Sequence, residues 1–292
     1  MLIVHITLTG LFLALAAIFR QGKGGFLLTG GRGPGWKKRR AEERILCRRA
    51  GPPLLAGTDA LLRRGHRRGL GGGIPPGEGV TGKEKTMEEL WWEEDPLRAE
   101  GKVLCGVDEA GAGPLMGPVY AAAVILPREA ELPGLNDSKK LTERKRDALY
   151  ELIRAQAVAW SVARAEAAEI DALDILNARM LAMNRAIEGL GRRADLYLID
   201  GNRDHGTKAA IEVPHALLVG GDGRSASIAA ASILAKVSRD RYVTEVLDRE
   251  YPQYQFAKHK GYGTKLHYAM LDEFGPCPEH RKTFLKKWEA GR

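Results

Sequence analysis

From Lys102 onward the apolar positions repeat at two spacings, every second residue and every third to fourth. VLCGVDEA (103–110) is apolar up to two adjacent carboxylates, and VYAAAVIL (119–126) follows a Gly/Pro turn; both predict strands. LTERKRDALYELI opens on Thr142, a residue type that caps helix N-termini, and sets Leu149, Leu152 and Ile153 on one face. VAWSVARA (158–165) alternates as a half-buried strand does. EIDALDILNARMLAMNRAIEGL then places Leu173, Leu176, Met180, Met183, Ile187 and Leu190 at helical spacing. That stripe reads as core. DLYLID (195–200) is a further strand ending in a carboxylate, and HALLVGGD (215–222) reads as another. SIAAASILAKV (227–237) is apolar almost all round, so it predicts a buried helix whose alanines allow close approach to a sheet. The alternation implies one α/β domain with a helical piece after about residue 239.

Carboxylates at the ends of buried strands are costly unless a cation compensates. Asp108–Glu109, Asp200 and Asp222 each end or follow an apolar run, and a glycine comes within two residues of each group. Strand ends of an open α/β sheet converge on one crevice, where ligands bind. Carboxylates meeting there raise one another's pKa unless a divalent cation lies between them. No His or Cys is interleaved, so the oxygen donors favour Mg²⁺ or Mn²⁺ over zinc. Such a cluster suits two-metal phosphodiester hydrolysis, one ion preparing the water and the other stabilising the leaving oxygen. A single strand-end Asp is more often a turn or helix cap. Spacing alone does not separate the two roles.

Composition changes the picture only at the N-terminus. The net charge of +8 invites a nucleic-acid reading, yet residues 1–86 hold 16 Lys+Arg against 5 Asp+Glu, leaving 29 against 32 for the rest. The folded part therefore needs a local basic patch rather than an overall charge. Lys258, His259, Lys260, Lys265, Arg281, Lys282, Lys286 and Lys287, with Tyr262, Phe284 and Trp288 interleaved, are expected to form it and to bind a duplex backbone. Residues 2–19 are an apolar run, and from Gln21 to Thr86 the chain is Gly/Arg-rich, so 1–86 is expected to be a disordered leader. A membrane anchor and an RNA-binding tail are two readings of it. The preferred reading is an over-extended start ahead of Met87, with 87–292 as the working domain. Cys47, Cys105 and Cys277 form no CxxC pair and read as reduced thiols, which implies a cytoplasmic protein. Trp91 and Trp92 are expected to pack locally.

Five stretches in order, GVDEAGAGPLMGPVYAAAVIL, LNDSKKLTERKR, LIDGNR, SIAAASILAKVSRDR and HKGYGTKLH, together resemble ribonuclease HII, the bacterial type 2 ribonuclease H. The resemblance covers about residues 103–284 and none of the leader. It implies a ribonuclease H-like mixed five-stranded sheet flanked by helices, with a helical C-terminal extension. It further implies cleavage 5′ to a ribonucleotide, in RNA–DNA hybrids or at single ribonucleotides in duplex DNA, leaving 3′-hydroxyl and 5′-phosphate ends. The family's metal-binding carboxylates match Asp108 and Glu109 in VDEAG, Asp200 in LIDGN and Asp222 in GGDGRS, the four positions that the strand ends single out. The family's Gly-Arg-Gly turn, which senses the ribose 2′-hydroxyl, matches Gly111, Ala112 and Gly113, so its arginine is missing here. A charged phosphate contact is worth roughly 1–3 kcal/mol, so weaker binding or a compensating basic residue is expected rather than loss of activity. Tyr262 in HKGYGT would stack on the junction sugar or base. Gly220 and Gly223 also depart from the family, which often has Lys and Ser or Ala there.

Lys139 and Lys140 are candidates for holding substrate phosphates, against the alternative of two solvated lysines before a helix. Ser225 could bind an anion at the start of the buried helix or simply cap it. Lys236, in an apolar helix, is expected to pair structurally. His259 and His280 are not needed as metal ligands. The expected partners are RNA–DNA hybrid and ribonucleotide-containing duplex DNA, bound by a monomer with no protein partner and no membrane association. Two rivals stand: another nuclease of the same fold, such as a junction resolvase, and a non-catalytic hybrid-binding protein. Four carboxylates beside phosphate argue against a pure binder.

Overall fold

Five of the apolar runs pair into a single mixed sheet. The computed structural model describes residues 86–291, so the expectations for the leader lie outside the described residues, apart from its last residue, Thr86. The strands are β1 (Leu104–Ala110), β2 (Val119–Ile125), β3 (Ala159–Ala165), β4 (Leu196–Asp200) and β5 (His215–Leu218), in the order β3-β2-β1-β4-β5. β2 is antiparallel to both β1 and β3, whereas β1, β4 and β5 run parallel. The parallel half brings the carboxyl ends of β1 and β4 side by side. Among the described residues no helix is long and apolar enough to cross a membrane.

The helices are α1 (Met87–Trp91), α2 (Asp95–Ala99), α3 (Glu143–Gln156), α4 (Ala167–Leu173), α5 (Ile175–Gly189), α6 (Ala226–Tyr242), α7 (Asp248–Glu250), α8 (Phe256–His259), α9 (Lys265–Phe274) and α10 (Lys282–Ala290). Thr142 caps α3, its hydroxyl accepting from the Lys145 N–H. The buried face of α3 is Leu149, Tyr150 and Ile153; Leu152, expected on that face, is exposed. The long stripe expected from Leu173 to Leu190 divides into α4 and α5 at Asp174. This residue takes φ +76 and caps α5 by accepting from the Asn177 N–H at 3.0 Å. Met180, Met183, Ile187 and Leu190 are buried as the stripe requires, while Leu173 and Leu176 are only partly so.

Two apolar layers follow from the two-residue period of the strands. On one face Ala110, Ala122 and Val124 meet Ala226, Ala229, Ala230 and Ile233 of α6, with α3 beyond. On the other, Cys105, Val107, Ala121 and Ala123 meet Ala178, Ala182, Met183 and Ala186 of α5. The seat of α6 is set by Gly106, where a Cβ would come within 2.1 Å of the Ser227 carbonyl carbon and 2.3 Å of the Ile228 nitrogen. Both obstacles are backbone, so only glycine admits the helix so near the strand. Gly106→Ala is expected to cost about 1–3 kcal/mol by overpacking. A lower urea midpoint at unchanged slope would show it, and an unaltered midpoint would mean that α6 shifts freely.

Candidate active site at the carboxyl ends of β1 and β4

Leu104 through Val107 pair in parallel with Leu196 through Ile199, and the next step of that register sets Asp108 level with Asp200. Neighbouring strands lie about 4.8 Å apart, and residues in register share a face. Both carboxylates therefore point to the α6 side of the sheet. Asp108 is buried, and one of its oxygens accepts from the Glu109 N–H at 2.7 Å. Asp200 Oδ1 accepts from the Gly221 N–H at 2.7 Å, which ties the end of β4 to the turn ahead of α6.

Asp222 sits in that turn and not at a strand end. β5 stops at Leu218, Gly220 takes a left-handed φ of +63, and Gly221–Gly223 form a 3-10 turn. The glycines break the extended run four residues early, and the turn carries Asp222 back over the sheet. Lys139 Nζ stands 3.4 Å from Asp222 Oδ2. Glu109 follows the strand period to the opposite face, where Arg179 of α5 places Nη2 2.6 Å from its Oε1. Arg179 escaped the sequence reading; its only signal was a charge inside the apolar stripe between Leu176 and Met180.

The electrostatics agree with the convergence. Burial raises the Asp108 pKa well above the ordinary 3.8, and the charges of Glu109, Asp200 and Asp222 push it further. Glu109 is raised by burial, opposed by Arg179, with Asp200 raising it again. Asp222 is raised by burial and by Asp137 and Asp200, with Lys139 opposing. One oxygen of Glu109, Oε2, is buried with no hydrogen-bond partner, as is Arg179 Nε. Among the described residues no three His, Cys, Asp or Glu side chains are arranged as a ready-made metal cage. The unpartnered oxygen and the repelled, buried Asp108 fit a hard divalent cation, and the oxygen-only donor set fits Mg²⁺ or Mn²⁺ better than a softer metal.

The other candidates divide. Gly111, Ala112 and Gly113 form the turn directly after β1, and a Cβ at Gly113 would lie 3.9 Å from Tyr262 Cε1, so the turn and the exposed Tyr262 are neighbours. Lys236 pairs with Asp240 at 2.8 Å, as expected, and also lies 5.9 Å from the Tyr262 ring centre. Lys140 is mostly exposed, 3.7 Å from Asp137. Ser225 is fully buried: it donates to Glu94 at 2.6 Å and accepts from the Ile228 N–H at 3.1 Å. Capping accounts for Ser225, and its burial leaves no path to a substrate anion. Lys258, Lys265, Lys282, Lys286 and Lys287 are exposed, but Arg281 and His259, counted with the basic patch, are buried. Trp91 is buried with Arg98 and Arg128 against its ring, and Trp92 is exposed.

A family model described as ribonuclease HII matches residues 105–289, which takes in the sheet but for its first residue, Leu104, and every carboxylate of the cluster. The chain belongs to the ribonuclease HII family. A ribonuclease HII from Neisseria meningitidis serogroup A is 54% identical over 181 residues, which cover 61% of this chain and 90% of the relative. One from Caldicellulosiruptor saccharolyticus is 50% identical over 202 residues, 68% of this chain and 96% of the relative. Among solved structures, ribonuclease H2 from Pyrococcus horikoshii OT3 shares the fold, with a TM-score of 0.53 at 24% identity over 64% of this chain and 97% of that one. As a ribonuclease HII, the chain is an endonuclease of the ribonuclease H type.

Proposed function

We propose that this ribonuclease HII hydrolyses the phosphodiester 5′ to ribonucleotides, both in RNA–DNA hybrids and at single ribonucleotides in duplex DNA. The products are 3′-hydroxyl and 5′-phosphate ends. What supports the reading is that Asp108 and Asp200 share the α6 side of the sheet end with Asp222 near enough to raise the Asp108 pKa, while Glu109, on the opposite face, keeps one buried oxygen unpartnered.

These four side chains would hold two divalent ions, Mg²⁺ or Mn²⁺, which lower the pKa of a bound water and stabilise the leaving oxygen. The residues themselves do the positioning. Arg179 fixes the rotamer of Glu109 from the α5 face. The Gly221 N–H holds Asp200, and the short 3-10 turn holds Asp222 ahead of α6. Lys139, mostly exposed beside Asp222, can turn to a substrate phosphate without a large desolvation cost. Tyr262 offers an exposed ring beside the 111–113 turn for stacking on the sugar or base. The exposed lysines of α9 and α10 and Lys258 supply sequence-independent attraction to the duplex backbone.

The test is a duplex DNA carrying one ribonucleotide, incubated with the protein and Mg²⁺ or Mn²⁺, beside an all-DNA duplex. A single cut on the 5′ side of the ribonucleotide, with the all-DNA duplex untouched, is expected. Binding without cutting under either ion would leave a hybrid-binding protein as the better account, and a cut independent of the ribonucleotide would point to another nuclease of this fold.

A further inference from the structure

Two arginines are fully buried, and almost all their donors go to backbone carbonyls. Arg281, just ahead of α10, directs Nη2 to the Gly111 carbonyl at 2.7 Å and Nη1 to those of Ala112 at 3.0 Å and Pro114 at 2.8 Å. Its Nε reaches the Gly117 carbonyl at 2.9 Å. Arg239, on α6, reaches the carbonyls of Pro118, Met116 and Lys260 at 3.1–3.3 Å. Its one carboxylate neighbour among the described residues is Asp240, at 3.9 Å. Together they grip six carbonyls of the 111–118 loop from below. A guanidinium left without a close carboxylate partner is expensive to bury, so this placement calls for a reason beyond packing.

The reason lies in the peptide plane. A trans peptide sets the carbonyl of one residue and the N–H of the next on opposite sides, and among the described residues no peptide bond is cis. Turning the Gly111 carbonyl inward therefore turns the Ala112 N–H outward, and turning the Ala112 carbonyl inward does the same to the Gly113 N–H. Among the described residues no acceptor takes either N–H. Gly113 is exposed and next to Tyr262. Gly111 keeps φ +93 with Arg239 packed where a side chain would be, a Cβ coming 2.1 Å from its Nε. The turn thus has two N–H donors without an acceptor among the described residues, beside the exposed Tyr262.

We propose that Arg281 is a positioning residue for ribose recognition: its hold on the Gly111 and Ala112 carbonyls aims the Ala112 and Gly113 N–H groups at the 2′-hydroxyl, with Arg239 bracing the same loop. The inference rests on the ribonucleotide-specific reading above. The segment that carries Arg281 is joined to both halves of the sensor. Its backbone N–H donates to the Leu115 carbonyl at 2.9 Å, and Leu115 in turn donates to the Gly261 carbonyl at 2.9 Å, next to Tyr262. His280 lies 3.0 Å from His267, whose other ring nitrogen is 3.0 Å from the Tyr262 carbonyl. The guanidinium charges also lie beneath a loop that lacks a side-chain cation of its own at Ala112. Burial, then repulsion from Arg239, lowers the Arg281 pKa to about 9, which leaves it charged at neutral pH.

The experiment compares wild type with Arg281→Lys, whose single ammonium cannot span four carbonyls. KM and kcat are measured on duplex DNA with one ribonucleotide, and an all-DNA duplex is titrated as competitor to give Ki. In the folded variant KM should rise on the order of tenfold to a hundredfold while Ki holds, so the ratio of Ki to KM collapses. A purely structural arginine would lower the active fraction, and hence apparent kcat, with the ratio unchanged; that result overturns the proposal. Should Arg281→Lys not fold, Arg239→Lys repeats the test from the other side of the loop, with the same expected collapse and the same overturning result. If neither variant folds at any temperature, the pair belongs to stability alone and the proposal fails. A wild-type protein that cuts no ribonucleotide substrate would instead remove the proposed function, an outcome seen before any variant is made.

Discussion

Asp108→Asn is expected to abolish cleavage while making the ion-free protein more stable. The activity loss follows from removing a charged oxygen at the centre of the cluster, where a bound ion contributes several kcal/mol; on the order of a thousandfold or more in rate is expected. The stability gain follows from the repulsion that Asp108 endures. Its folded pKa is raised above the ordinary carboxylate value by burial and by Glu109, Asp200 and Asp222. Between 3.8 and that raised value the folded state binds a proton that the unfolded chain releases. Ion-free stability should therefore rise as pH falls through the raised value, and the charged Asp108 opposes folding at neutral pH. Asn keeps an oxygen to accept from the Glu109 N–H and carries no charge. Its melting temperature without divalent ions should exceed wild type by about 2–4 °C for each kcal/mol of repulsion relieved. Adding Mg²⁺ or Mn²⁺ should raise the wild-type melting temperature and leave the variant nearly unmoved. Protons compete with the ion, so its affinity should weaken as pH falls toward the raised carboxylate values. A variant that melts lower than wild type in EDTA, or that still responds fully to the ions, would show that Asp108 is a structural cap.

Glu94→Ala should be the most damaging single change outside the cluster. Glu94 is fully buried between α1 and α2, and both carboxylate oxygens meet the start of α6. Oε1 accepts from the Ser225 hydroxyl at 2.6 Å and the Ser227 N–H at 2.8 Å, and Oε2 from the Ser227 hydroxyl at 2.9 Å and Arg98 at 2.7 Å. The side chain thus satisfies an N–H that the first turn of a helix leaves free, and it sits at the positive end of the helix dipole. Removing it strands Arg98 and a buried N–H together, at about 3–5 kcal/mol and roughly 6–20 °C of melting temperature in a domain of this size. Asp222 lies three residues before the Ser225 cap, so kcat should fall with stability, and more steeply than the unfolded fraction explains. Thermal melts and activity on the same samples separate the two effects. A melting temperature equal to wild type would mean that water replaces Glu94 and that residues 86–100 are not needed to seat α6.

Much of the site was legible because strands and buried helices announce themselves locally. An apolar run that stops at a carboxylate needs no partner to be noticed, and Asp108, Glu109 and Asp200 stand at the ends of β1 and β4 as that pattern implies. Thr142, the buried α6 and the five strands were visible for the same reason: caps and periods are properties of a few consecutive residues. The errors share a different cause. Asp174 divides one apolar stripe into two helices without interrupting its spacing, and the glycines at 220 and 221 end β5 early although the run HALLVGGD looks extended. Both breaks depend on backbone conformations that a hydrophobic pattern does not record.

By itself the sequence determined the strand and helix periods, the four carboxylates, the oxygen-only character of the donor set and the resemblance that these words carry. Only the tertiary structure decided which charges answer one another. Arg179 is 70 positions from Glu109, and Arg281 is 170 from Gly111, yet each pair is in direct contact. Arg281 looked like one more cation in a basic tail until the fold buried it, just as Ser225 looked available until Glu94 covered it. Burial is the deciding quantity. It depends on how layers stack and not on what stands beside a residue in the chain, and it turns an exposed charge that is worth little into a buried one that must be matched.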